Sequence, residues 1–277
     1  MNTDQILKLA LEAAGLSEIP ADSGVVFPGD NIKRVMVGVD VEAAEILIAR
    51  HLGFDAVITH HPRGGRPALD LAEAMDNQID RMVQAGVAIN KAQKALVERK
   101  EQVERARHVE NYGRAVSAAR LLGMPYIAVH TPADILAERT VQEHLDRDLD
   151  GRPKATLADV IAALEGIPEY RLAPAKPKIR VGAEQSFAGR VVVTMAGGTS
   201  GGEKVALAYF EAGVGTLVVM HMPDDVIEAV KRQEIGNVVI AGHMASDSVG
   251  VNRLIAVFEQ NGLEITRASG VIEPAGE

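Results

Sequence analysis

The sequence contains no cysteine and no tryptophan, and only five phenylalanines and four tyrosines among 277 residues. Without thiols, disulfides, cysteine-rich zinc modules and thiolate-ligated iron–sulfur clusters are excluded, so any metal must be held by nitrogen and oxygen. With so few aromatics the core has to be built from Ala, Val, Ile and Leu, and a hydrophobic content of 47% supplies them. No run approaches the ~20 apolar residues of a membrane span. Positive charge is also scarce: 29 Lys and Arg against 38 Asp and Glu leave a formal net charge of −9. A basic face for nucleic acid or an anionic membrane is not expected, whereas an acidic chain concentrates cations. The opening MNTDQILKLALEAAG reads as an amphipathic helix capped by Thr3 or Asp4. It lacks the basic-then-apolar order of a signal peptide, which points to a cytoplasmic protein.

What is present is a set of short apolar runs that end in histidine or aspartate. FDAVITHHP, Phe54 to Pro62, delivers His60 and His61 into a proline-terminated turn. In an open α/β sheet the ligand crevice lies beyond the carboxyl ends of such buried strands, and imidazole is the commonest protein ligand for transition metals. Adjacent histidines on a turn can address two different ions, which suggests a dinuclear site; a merely polar strand end is the alternative. RVMVGVD ends in Asp40 and, with the helical spacing of Glu42 to Leu52, forms a β-α-β unit with the histidine strand. Asp40 is a candidate general base or a cap for the following helix. PYIAVHTPAD, Pro125 to Asp134, is another apolar run leading into polar residues, with His130 a candidate base, shuttle or outer-sphere partner.

The spacing predicts a first helix over 4–14, a loop over 17–31, a helical region over 69–122 interrupted near Gly86 and Gly113, and a helix over 140–149. EGIPEYRLAPAKPKIRVG is rich in proline and reads as a linker. The expected division is a first half at 1–165, a linker at 166–180 and a second half at 181–277. The second half repeats the first: GFDAVITHHP aligns with GVGTLVVMHMP, and Ile127 to Asp134 with Ile240 to Asp247. In that alignment His60 pairs with His221, His130 with His243 and Asp134 with Asp247. The fold class is α/β, with two similar halves, mixed sheets flanked by helices, and the His and Asp residues converging on a cleft between the halves. The run GGTSGG offers Gly197, Gly198, Thr199, Gly201 and Gly202 as an anion cradle between a strand and a helix. Glu203 stands where a Walker motif needs lysine, so a tight strand-to-helix turn is the simpler alternative.

The strand-HHP element, the His-x-x-x-Asp at His130 to Asp134, the glycine loop after Val193 and the element from Gly242 to Asp247 together resemble the Nif3-like family of dinuclear-metal-centre proteins. The resemblance spans about residues 25 to 270. It implies two metals held by His60, His61, Asp134, His243 and Asp247, and subunits assembled into a homohexamer. Some relatives carry an assignment as a second type of GTP cyclohydrolase. This chain departs from the pattern in several places. Asp247 stands where the family commonly has Glu, Arg63-Gly64-Gly65-Arg66 follows the HHP element, the segment between His61 and His130 is long, and Met220-His221-Met222 replaces a frequent Thr-Gly-acid turn. With imidazole and carboxylate ligands, two divalent ions among Zn, Fe, Mn, Co and Ni are expected, and hydrolysis of a small phosphate-bearing or nucleotide-like molecule is the natural chemistry. The rival is a non-catalytic metal-binding, regulatory or scaffold protein.

Overall fold

The computed structural model describes residues 1–274, and the last three residues of the expected second half, 275–277, lie outside it. The chain begins with α1 (Thr3–Ala14), β1 (Ser23–Phe27), β2 (Arg34–Gly38), α2 (Ala43–His51) and β3 (Ala56–Thr59). Five helices follow: α3 (Gly65–Leu69), α4 (Leu71–Ala74), α5 (Asn77–Gln84), α6 (Ile89–His108) and α7 (Arg114–Leu122). β4 (Tyr126–Val129) runs directly into α8 (His130–Leu149), then come α9 (Leu157–Glu165), α10 (Pro168–Leu172), β5 (Lys178–Val181) and β6 (Val191–Thr194). The remainder is α11 (Glu203–Glu211), β7 (Thr216–Val219), α12 (Asp224–Gln233), β8 (Asn237–Ile240), α13 (His243–Gln260) and β9 (Glu264–Ala268).

The chain divides into two compact units. The first comprises Met1–Ala74, Gln102–Ala137 and Asp247–Glu273, and the second is built mainly from Met75–Glu101 and Glu138–Ser246. The first unit contains a five-stranded sheet in the order β1-β4-β3-β2-β9, and the second a four-stranded sheet in the order β5-β8-β7-β6. In the first, β2, β3, β4 and β9 are parallel and β1 is an antiparallel edge. In the second, β6, β7 and β8 are parallel and β5 is the antiparallel edge. Both edge strands shift register at the same step, between Val25 and Phe27 and between Ile179 and Val181. The internal repeat thus extends to strand order, strand sense and an irregularity.

Parallel strands buried on both faces need apolar residues at every position, which is why VMV and AVI run without alternation. Val35, Val37, Ile58, Ile127 and Val129 turn to one face of the first sheet, where Ile6, Leu7, Leu254, Ile255 and Phe258 cover them. Met36, Val57 and Tyr126 turn to the other, against Ile46, Ala49, Phe54, Ala119 and Met124. Helices α8 and α13 meet where Gly250 lies against Ala133: a Cβ at Gly250 would stand 2.0 Å from the Ala133 carbonyl oxygen. Only glycine permits that approach.

Several expectations are corrected. The cap of α1 is Asn2, not Thr3 or Asp4: its side chain accepts from the Gln5 amide, and the Gln5 side chain accepts from the Asn2 amide. The stretch read as a loop over 17–31 contains β1, whose apolar run Val25-Val26-Phe27 is cut short by Gly24 and Pro28. The proline-rich stretch 166–180 holds α10 and the first residues of β5. Strand pairing also alters the repeat: Thr59 occupies the step of Val219, so His221 is in step with His61 and His60 with Met220. Thr59 lies opposite Ala128 and Val219 opposite Ile240, so the second sheet spends one residue more before its histidine. Gly242, at φ 107, takes up the difference.

Candidate metal centre

His60 and His61 follow β3, and the turn that carries them is held from within. The Thr59 hydroxyl accepts from the Val41 amide at 3.2 Å and lies 2.8 Å from the His61 carbonyl. Ladder bonds continue past the strand ends, with the His60 and His61 amides donating to the Gly38 and Val39 carbonyls. His130 opens α8, and Asp134 follows one turn later on the same helix face. The polar residues after β4 are thus helical ten residues earlier than expected, with Pro132 tolerated because the first turn has no internal bond to lose. Asp247 stands in the second turn of α13, which the Gly250 contact brings against α8.

These side chains form a row of alternating imidazoles and carboxylates. His61 Nε2 is 3.4 Å from Asp247 Oδ2, and His60 Nε2 is 3.5 Å from Asp247 Oδ1. His60 Nε2 is also 3.4 Å from Asp134 Oδ1, and His130 Nε2 is 3.8 Å from Asp134 Oδ2. At the two ends, His61 Nδ1 bonds Asp40 at 2.9 Å and His130 Nδ1 bonds Asp22 at 2.7 Å. Arg63 Nε donates to the same Asp40 oxygen at 2.7 Å.

The arrangement fits a metal. His60 is 1% exposed, yet among the described residues neither of its ring nitrogens has a hydrogen-bond partner. Two ligand atoms about 2.1 Å from one ion at a tetrahedral angle lie roughly 3.4 Å apart, the separation found between His60 and its two carboxylates. Ligand atoms of His60, Asp134 and Asp247 all fall within 4.8 Å of one another, as do those of His60, His61 and His130.

Protonation follows the burial. Burial pushes the His60 imidazole down to about 4 and the Asp134 carboxyl up to about 8. Burial also works to lower His61, but hydrogen bonds to Asp247 and Asp40 outweigh it and raise the ring to about 9. For His130 burial is likewise outweighed, by Asp134 and Asp22, and the ring is raised. The bond from His61, with Arg63, holds Asp40 well below the usual carboxylate range. Beside Asp40 a pocket of about 410 Å³ opens among Glu42, Glu45, Arg114 and Ser269.

A crystal structure of a NIF3 superfamily protein from Sphaerobacter thermophilus is 35% identical to this chain, covers 98% of each chain and superposes with a TM-score of 0.93. The chain belongs to the NIF3 superfamily. Two more distant structures share the NIF3 fold alone. Reduced HcgD from Methanocaldococcus jannaschii is 14% identical over 96% of this chain and 97% of its own, with a TM-score of 0.61. The protein ybgI, described as of unknown function, is 19% identical over 99% and 100%, with a TM-score of 0.58. No family model and none of the curated proteins matches the sequence.

In this NIF3 chain His60, His61, Asp134 and Asp247 lie together within the first unit. His243 is the first residue of α13, one helical turn ahead of Asp247, and its ring centroid lies 4.8 Å from that of His221. The glycine loop lies in the second unit, where Gln78 Nε2 donates to the Gly197 and Thr199 carbonyls at 2.7 and 2.6 Å. Gly197 and Gly201 each leave no room for a Cβ against the Gln78 side chain. Ahead of the loop, Glu138 Oε2 accepts from the Met195 and Ala196 amides. Gly198 at φ 76 and Gly202 at φ 80 complete its left-handed positions. The residue beside this cluster that sequence reasoning missed is Asp22, which stands just ahead of the unrecognised edge strand and bonds His130. Among the described residues no helix is long and apolar enough to cross a membrane.

Proposed function

We propose that this chain binds two divalent transition-metal ions and hydrolyses a small phosphate-bearing or nucleotide-like molecule. The observation that carries the reading is His60, a buried imidazole without hydrogen-bonded nitrogens that faces two carboxylates at co-ligand separation. His60, His61, Asp134, His243 and Asp247 are the proposed ligands, Asp247 turning one oxygen to each of the adjacent histidines. When bound, such a pair supplies a water acidic enough to act as nucleophile near neutral pH. The chain's own residues orient and receive. Asp40, held as an anion at the half-exposed rim, keeps Nε2 of His61 turned inward and takes up proton charge through that ring. The pocket beside it carries the carboxylates of Glu42 and Glu45, acceptors suited to the N–H groups of a base or amine on the ligand, along with the donor Arg114. The loop from Gly197 to Gly202 is the proposed anion seat, with Gly197, Gly198 and Gly202 providing backbone turns that side chains rarely adopt. Assembly into a homohexamer is part of the same reading and is checked by light scattering.

The test combines metal analysis with a screen of phosphoesters, nucleotides and cyclic amides, a set that includes the substrate of a GTP cyclohydrolase. Turnover that needs metal and is lost in His61→Ala supports the reading; turnover that survives both His61→Ala and chelation belongs to a contaminant. The near-complete burial of His60 and Asp247 favours a second reading, a metal-binding or scaffold protein without turnover. Two bound ions with no activity on any of these substrates would select it.

A further inference from the structure

The row of imidazoles and carboxylates has two ends, and they are built alike. At one, His61 gives Nδ1 to Asp40 and turns Nε2 to Asp247. At the other, His130 gives Nδ1 to Asp22 and turns Nε2 to Asp134. We propose that Asp22 is a positioning residue that makes His130 a metal ligand, through Nε2, alongside His60 and His61.

A histidine that donates Nδ1–H to a carboxylate keeps the lone pair of Nε2 for an ion, and the carboxylate fixes both tautomer and ring orientation. Asp22 is suited to that task because it is wholly buried and saturated with donors. Its Oδ2 accepts from His130 at 2.7 Å and from the Thr131 hydroxyl at 2.8 Å, while Oδ1 accepts from the Ser23 hydroxyl at 3.1 Å and the Thr131 amide at 3.4 Å. A buried carboxylate held by four donors has little freedom to move or to release the ring. The third imidazole is also in place, since one nitrogen from each of His60, His61 and His130 lies within 4.8 Å of the others.

The backbone explains how Asp22 reaches this position. Ser23 pairs with Val129 across the antiparallel edge, so the next step sets Asp22 opposite His130. In the second sheet Ile179 takes the step of Val25, so the position of Asp22 falls to Lys176, opposite Gly242, where there is neither a carboxylate nor a ring to hold.

The inference rests on the metal-binding reading, and the test separates the two. Protein labelled with nitrogen-15 in histidine and loaded with cadmium-113 shows directly which ring nitrogens ligate, by cadmium–nitrogen coupling. Coupling at His130 Nε2 with a proton retained on Nδ1 is the expected result. Asp22→Asn is expected to lower cadmium affinity about 10- to 100-fold, the usual effect of losing a carboxylate behind a ligating histidine, and to remove the His130 coupling first. Thr131→Val loosens Asp22 more gently and is expected to weaken affinity in the same direction. Coupling at His60 and His61 but not His130 overturns this inference alone, as does an Asp22→Asn protein with unchanged affinity and an unchanged His130 signal. Absence of coupling at every histidine overturns the metal reading and this inference with it.

Discussion

The two sheets share strand order, strand sense and even the irregularity of the edge strand, but the residues beyond their strand ends differ in kind. The first sheet places Asp22, Asp40, His60 and His61 there; at the same steps the second has Lys176, Ala196, Met220 and His221. The backbone frame has been kept twice while the carboxylates and the paired imidazoles stand at one copy. Burying a carboxylate or an imidazole is costly unless it is paired or bound to an ion, so one crowded edge with mutual partners is less expensive than two half-equipped ones. The second edge uses its freedom differently. Its amides at Met195 and Ala196 are occupied by Glu138, and its strand end leads into a glycine loop braced by Gln78.

The contrast is broken most directly at matching positions. His60→Ala is expected to lose at least one ion per chain, whereas Met220→Ala, one repeat away, is expected to keep the metal content while losing stability as a buried methionine does, about 2–5 kcal/mol. Elemental analysis beside thermal melts reads both, and loss of metal in the Met220 variant would end the idea of one equipped edge.

A smaller effect is expected from pH. In metal-free protein Asp134, at about 8, and His61, at about 9, both lie above their unfolded values, so the folded state holds protons that the unfolded state releases. Stability contributed by these groups is present at low pH and lost as pH rises; between about 6.5 and 8 both act in that direction, and His61 continues to about 9. His60, depressed to about 4, contributes the opposite slope only below about 6.5. Ions must expel the same protons, so metal affinity is expected to climb over that window while the melting temperature of the chelated protein falls. A chelated protein whose melting temperature rises from pH 7 to 9 would contradict the assignment of those protons.

The smallest effect concerns the turn. Thr59→Val leaves the buried Val41 amide without its acceptor and is expected to cost about 1–3 kcal/mol, with weakened metal binding. Val219→Ile at the matching step is expected to cost about 1–3 kcal/mol by overpacking and to leave metal binding unchanged. Equal losses of metal binding in both variants would show that the turn after β3 has no special task.

Most of the frame and much of the site could be read without coordinates, for identifiable reasons. VMV and AVI are unbroken apolar runs that suit two-sided burial, and the double histidine marks the strand end by its own chemistry. What escaped had weak local signals. β1 offers only three consecutive apolar residues between Gly24 and Pro28, and with it Asp22 went unnoticed, although the Asp22–His130 bond spans more than a hundred residues. The helical start at His130 was masked by Thr131-Pro132, residues that read as a turn unless the first helical turn's tolerance for proline is considered. The pairing of His60 with His221 failed because alignment by letters matched histidine to histidine, while hydrogen-bond register counts steps along the strand.

Asp22 sits at the mouth of a strand that is bonded on one side only. Edge strands open by local fluctuation at a lower free energy than the centre of a sheet, without unfolding the whole. If β1 lifts away, His130 loses its anchor while His60 and His61, rooted in the interior strand β3, keep theirs. Entry and escape of an ion would then be timed by the breathing of this one strand, so that amide exchange in Val25 and Val26 and the off-rate of the metal share a common clock.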